Sequence, residues 1–208
     1  MYEKADAVIR EMNRKNLRSF GRLKQLRFDE LNILTAVTRI YDDSIKLAKK
    51  RYYQVALDAY IAAQMLSGRS KRKAELEAED AITKDWVLDM LEDYDVVTLY
   101  QFLPEADRKK QRLVEALIAS HKRNAEVDKA LRYWTLQLSQ YAIKSVDEAT
   151  LQAYKDAGVQ YVKWNTQEDE RVCGVCNPRD ERIYPIEKAP PKAHYSCRCY
   201  YTPVMKRG

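Results

Sequence analysis

The sequence predicts a mainly α protein: an N-terminal bundle of long helices joined to a small C-terminal α+β module. Three observations predict it. Charged residues make up 33% of the 208 positions, against five glycines and six prolines, a balance that favours long solvent-facing helices over a sandwich or barrel. Apolar residues recur at three- and four-residue steps through most of the chain before Gly158. After Gly158 that period gives way to β-branched and aromatic residues, and all four cysteines lie between Cys173 and Cys199. The pattern divides the chain into an N-terminal arm and long helix (1–72), a helical domain (73–157) and a C-terminal module (158–208).

The first 20 residues form a polar helix with sparse apolar positions (Val8, Ile9, Met12, Leu17) and a break at Gly21. It is too weakly amphipathic to stand alone and must dock on something. Asp29 is a good N-cap for a long second helix, whose core face runs through Leu34, Val37, Tyr41, Ile45, Ala48, Tyr52, Val55 and Ala59. Ending at Ser67-Gly68, it spans roughly 37 residues, about 55 Å at 1.5 Å per residue. Residues 69–81 are charged, first basic and then acidic, and read as a linker or an exposed helix start. Thr83 caps a helix carrying Trp86, Val87, Met90 and Leu91. Residues 95–101 make a short connection. Pro104 fits the first turn of the next helix, which continues through Leu113 and Leu117. A further helix runs from about Ala125 to Ile143, with Trp134 and Tyr141 on its apolar face. Ser145 then reads as the N-cap of a separate helix over 146–157, with Asp147 and Glu148 in its first turn, and Gly158 as its stop. In the last module Val159–Trp164, Arg182–Tyr184 and Tyr200–Thr202 read as short strands.

A segment of about 50 residues with so little core needs a staple. Cys173-Gly174-Val175-Cys176 has the spacing of a zinc knuckle, and His194, Cys197 and Cys199 can close the site from across a loop. Five candidate ligands compete for four positions. The sets are Cys173, Cys176, His194 and one of Cys197 or Cys199, or else all four cysteines. In an extended segment Cys197 and Cys199 point the same way, so both can approach one ion. Two disulfides or four free thiols remain the alternatives. A thiolate-rich zinc site with no open position would be structural, not catalytic.

The net charge of +6 is uneven: residues 1–72 are basic, 73–102 acidic and the remainder basic again. Basic clusters at Arg14-Lys15, Lys49-Lys50-Arg51, Arg69–Lys73 and Arg108–Lys110 suit contact with phosphates or with an acidic protein. The alternation of sign favours protein partners over a continuous nucleic-acid stripe. Fifteen tyrosines against three phenylalanines suggest half-buried contact surfaces that stay wet at one end. No apolar window is long enough for a membrane span, and no secretory leader is evident, which weighs against disulfides. Catalysis finds little support. His121 stands alone in a basic stretch, and no phosphate-cradling glycine loop or zinc-protease motif occurs. Asp169 and Glu170, beside the knuckle, are the only acid–base candidates, and they would need an open metal position.

The run Trp164–Cys176, with its Asp169-Glu170-Arg171-Val172-Cys173-Gly174-Val175-Cys176 core, is followed by Pro190-Pro191 and by His194 with Cys197-Arg198-Cys199. This resembles the signature of the phage head-morphogenesis family, the Mu F-like minor capsid proteins of tailed bacteriophages. The resemblance covers roughly residues 80–204. It is specific in the cysteine part and only supportive in the helices. One departure is that His194 lies three residues after Pro191, where two is commoner. The resemblance implies a virion protein and not an enzyme. It would associate with the portal protein at one capsid vertex, in several copies on that ring, and assist head morphogenesis and DNA packaging or ejection. Further expected partners are the major capsid or scaffolding protein and packaged DNA, with the host cytoplasm as the place of assembly. Some relatives carry a toxin domain after the signature. This chain ends at Gly208, and none is expected. The competing expectation is a DNA-binding or metal-dependent DNA-processing protein.

Overall fold

In a computed structural model that describes residues 2–26, 30–167, 172–195, 197 and 199–205, the chain is mainly α with a small antiparallel sheet. The helices are α1 (Tyr2–Leu23), α2 (Glu30–Leu66), α3 (Lys71–Ala81), α4 (Lys84–Glu92), α5 (Phe102–Ala119) and α6 (Arg123–Asp156). The strands are β1 (Tyr161–Asn165), β2 (Ile183–Pro185) and β3 (Tyr200–Val204), in the order β2-β1-β3. No helix among the described residues is long and apolar enough to cross a membrane.

α2 (37 residues) and α6 (34 residues) pack along each other and form the spine. Around one half, α4, α5 and the C-terminal part of α1 bury Phe20, Tyr41, Phe102, Trp134 and Tyr141 together. The Phe102 ring lies 4.7 Å from Tyr141 and 5.4 Å from Trp134, centroid to centroid. Around the other half, α3, the start of α1 and the sheet bury Ala5, Tyr60, Tyr154, Val162, Trp164 and three of the cysteines. Both cores cross positions 72/73, and the second also crosses 157/158.

Several local expectations give way to packing. Gly21 does not break α1, which continues to Leu23. Burial of Phe20 and Leu23 on either side holds that turn helical, outweighing the roughly 1 kcal/mol that glycine costs in a helix. Leu17 points outward, 61% exposed, while Ala5 and Phe20 carry the docking face. What α1 docks on is its own chain, α2 and α6. The segment from Lys71 is a true helix, capped by the Ser70 hydroxyl, which accepts from the Lys73 amide at 3.4 Å. The cap at Thr83 is made as its position suggests, accepting from Trp86 N–H at 3.1 Å.

The largest departure is at Ser145. It caps nothing: α6 runs through it, and its hydroxyl donates to the Tyr141 carbonyl one turn back at 2.7 Å. The tyrosines also differ from expectation. Tyr41, Tyr52, Tyr60, Tyr141 and Tyr154 are fully buried. Four of these hydroxyls find internal partners, as where Tyr52 donates to the Leu138 carbonyl at 2.8 Å, while the Tyr41 hydroxyl is buried without one.

Gly158 ends α6 with φ +77°, a left-handed conformation that glycine adopts without a Cβ penalty. The chain then enters β1, whose exposed–buried alternation puts Val162 and Trp164 inward. Trp164 pairs with Tyr201 of β3, and the two rings meet edge to face at 5.3 Å. Pro203 is tolerated because β3 is an edge strand. The sheet thus leans its apolar face on α6, where Tyr154 donates to the Tyr201 carbonyl at 3.3 Å.

Candidate metal centre

The Cys173–Cys176 segment folds as a tight turn because its backbone donors converge on one residue. Cys176 and Asn177 N–H both donate to the Cys173 carbonyl, at 3.0 and 2.9 Å. Cys176 N–H also points at Cys173 Sγ, 3.3 Å away. Such amide donors stabilise a thiolate. Although burial pushes the other way, these hydrogen bonds and the His194 ring bring the Cys173 thiol down to about 7. A short 3-10 turn over Asn177–Arg179, opened by Pro178, then leads the chain away.

The opposite wall comes from the loop before β3. Cys197 N–H donates to the His194 carbonyl at 3.3 Å, closing a turn that brings the loop back to the knuckle. Cys176 Sγ lies 3.6 Å from Cys197 Sγ, and all four cysteines are free thiols. That separation is far beyond a disulfide bond of about 2.05 Å. It is close to the roughly 3.8 Å between two thiolates that share a tetrahedral ion at about 2.3 Å. The donors form two groups of three that share Cys176: Cys173, Cys176 and His194, and Cys176, Cys197 and Cys199. Within each group the donor atoms lie within 4.8 Å of one another. All five sequence-predicted ligands therefore meet in one cluster, an arrangement that can hold a metal ion. The side chains of Cys197 and Cys199 do lie on the same side.

Electrostatics favour a cation here. Burial and neighbouring sulfurs push the Cys176 thiol far up, and burial beside Cys197 lifts Cys199 to about 11. Stacked thiols resist ionising together unless a positive charge is supplied between them. His194 is oriented by its own loop. Its Nδ1 lies 2.8 Å from the Tyr195 carbonyl, which can only accept, so Nδ1 is the donor there and Nε2 is the nitrogen that would face an ion. Asp169 and Glu170, named as acid–base candidates, lie outside the described residues, as does Arg171. His121 is in the α5–α6 connection and belongs to neither donor group.

A second set of residues gives no sequence signal as a group. Lys192, only 7% exposed, is near enough to Cys199 to act on its thiol. Its Nζ lies 3.4 Å from Asp147 Oδ1 of α6 and 3.1 Å from the Tyr2 hydroxyl of α1. It also stands over the rings of Tyr2, Trp164 and Tyr201, at 4.9, 5.7 and 5.7 Å. Tyr2 in turn donates to Asp147. Burial raises the Asp147 carboxyl despite Lys192 beside it. Asp147 is thus not the helix-start acid its sequence position suggests, but the buried anchor that ties the first turn of α1 and the metal loop to α6. A chain of hydroxyls, Tyr195–Tyr100–Tyr133 at 3.2 and 2.7 Å, makes a further tie. It ends where Tyr133 donates to Glu105 of α5 at 2.7 Å.

Between this loop and α6 lies a cleft of about 380 Å³, walled by Asp95, Lys144, Asp147, Glu148 and Lys192 among others. Burial pushes the Glu148 carboxyl up to about 7; Lys144, 3.5 Å away, opposes this, and Asp93 and Asp147 add to it. The folded-state value lies above the unfolded one, so the native state holds the extra proton between about pH 4.3 and 7. Stability therefore falls as pH rises through that window. A Glu148→Gln chain is expected to lose this slope. In thermal melts from pH 5 to 7.5, the variant should gain on the wild type as pH increases. A constant difference between the two would show that Glu148 titrates normally.

Compared with protein-family models, with curated proteins and with solved structures, the chain finds no match.

Proposed function

We propose that this chain is a minor head protein of a tailed phage, built to associate with the portal vertex and assist head morphogenesis, with a structural zinc ion in its C-terminal module. The observation that carries this reading is the motif itself. Cys173-x-x-Cys176 and His194-x-x-Cys197-x-Cys199, the part most specific to the head-morphogenesis signature, come together as one compact donor cluster. Zinc suits soft thiolates with a neutral imidazole, and the 3.6 Å sulfur–sulfur distance fits tetrahedral thiolate ligation. The ion would supply the charge that lets neighbouring thiolates coexist. Cys176, common to both groups, would be obligatory, with three more ligands drawn from Cys173, His194, Cys197 and Cys199.

The role is structural and not enzymatic, because an ion saturated by sulfur and imidazole leaves no position for an activated water. The α2–α6 spine supports the same reading, since rods of this length present extended side surfaces to a ring-shaped partner. Co-expression with the portal protein of the same phage tests it. The expected result is a complex that survives size-exclusion chromatography, and the chain should be found in mature heads by mass spectrometry. Failure to co-purify, together with absence from heads and their precursors, would remove the proposal.

A further inference from the structure

The helical hairpin of α1 and α2 is antiparallel, and its register is marked by three pairs. Lys4 meets Asp58 at 2.7 Å, Arg51 meets Glu11 at 2.7 Å, and Ser44 donates to Asn16 at 2.9 Å. From the N-terminus to Glu11 the facing charges are opposite. Beyond Lys15 the rule reverses. Lys15, Arg18 and Arg22 of α1 face Lys46 and Lys50 of α2 across a cleft of about 480 Å³.

Like charges set across a helix pair oppose its packing, so this arrangement costs the fold something that neutral residues would not. Among the described residues, Arg18, Arg22, Lys46 and Lys50 have no carboxylate partner. The one acid in the wall, Asp43, is taken by Arg39 at 3.8 Å. On the floor, Asn16 is 4% exposed. Its side-chain oxygen accepts from Ser44, but its Nδ2 donor has no partner.

Lys15 keeps Glu11 at 2.9 Å, but the other four cations and the orphan floor group are donors without acceptors, which calls for a ligand that only accepts. Residues 18 and 22, and residues 46 and 50, are each four apart, so the cations form two parallel tracks with steps of about 6 Å. This suits a run of phosphates better than a single anion. No aromatic side chain lines the cleft, so bases have nothing to stack on. We propose that the α1–α2 cleft binds the phosphodiester backbone of duplex DNA without regard to sequence. The two basic clusters, far apart in sequence, are separate solvated patches until the hairpin brings them together. The inference is independent of the capsid reading.

The test is binding of the full chain to a mixed-sequence 30-base-pair duplex, measured by fluorescence anisotropy across a salt series. If about four phosphates are neutralised, the logarithmic salt slope should be roughly −3.6, or about a hundredfold loss of affinity between 50 and 200 mM salt. Arg18→Ala/Arg22→Ala/Lys46→Ala/Lys50→Ala, all exposed positions, should bring the slope toward zero. Lys71→Ala/Arg72→Ala/Lys73→Ala, an equally exposed basic cluster, should bind within about threefold of wild type. Thermal melts check that each variant folds. Should the quadruple variant fail to fold, Arg18→Gln/Lys46→Gln should still remove about half the slope. No measurable binding at 50 mM salt overturns the proposal, as does equal loss in the control variant. Poly-glutamate binding as tightly as DNA would also overturn it, by assigning the cleft to an acidic protein.

Discussion

Replacing Cys176 by serine is expected to abolish metal binding and to destabilise the C-terminal module by more than about 3 kcal/mol. Cys176 belongs to both donor groups and is 1% exposed, so no neighbour can take over its place. Without an ion, the exchange of a buried thiol for a hydroxyl would cost only about 1–3 kcal/mol through the unsatisfied polar group. The loss should have a direction in space. Trp164, Tyr201, Cys197 and Cys199 share one core with Tyr60, Tyr154 and Ala5. Limited proteolysis should therefore open residues 159–205 and the start of α1 first. The aromatic cluster of Phe102, Trp134 and Tyr141 should persist longer. Elemental analysis of the purified wild-type chain, with chelator titration followed by circular dichroism, makes the same point without mutation. Zinc at one equivalent, and a melting temperature that falls with chelator, are the expected results. A metal-free chain that melts unchanged in chelator would leave the cluster as four packed thiols.

The second large effect is expected at the buried pair of Asp147 and Lys192. Lys192→Met should cost about 3–5 kcal/mol, since it strands a carboxylate that is 7% exposed and whose Oδ2 already has no partner. Asp147→Leu should cost a similar amount, because it leaves the ammonium among three aromatic rings with only the Tyr2 hydroxyl. The double variant should recover most of the loss, as apolar replacements of buried ion pairs often do. Denaturant unfolding of all four chains closes the cycle, and a coupling energy below about 0.5 kcal/mol would show the two side chains acting independently. Because Tyr2 donates to Asp147, the Asp147 variants should also release the first turn of α1. Hydrogen exchange at residues 2–8 would report it.

Much of the local structure was legible. The core face of α2 follows the three- and four-residue spacing of Val37, Tyr41, Ala48, Tyr52, Val55 and Ala59, all buried, whereas Leu34, read as part of the same face, is exposed and Ile45 is half-buried. Thr83 and Gly158 mark their helix ends through chemistry that needs only a few neighbouring residues. The five donors of the candidate metal centre were readable for the same reason, since a knuckle is a local turn and the second cluster is short. Ser145 and Asp147 were misread because a helix-start motif resembles any serine followed by acids. A buried tyrosine carbonyl one turn earlier, and a lysine 45 positions later, decide what those side chains do.

The sequence by itself determined the helical class, the strand segments and the identity of the clustered sulfur and imidazole groups, because these rest on periodicity and short-range spacing. Only the tertiary structure decided that Tyr2, Asp147 and Lys192 meet, that fully buried tyrosines line the spine, and that two basic clusters face each other across one cleft. Those contacts join residues tens to hundreds of positions apart. Burial selects them from many pairings that local pattern leaves equal.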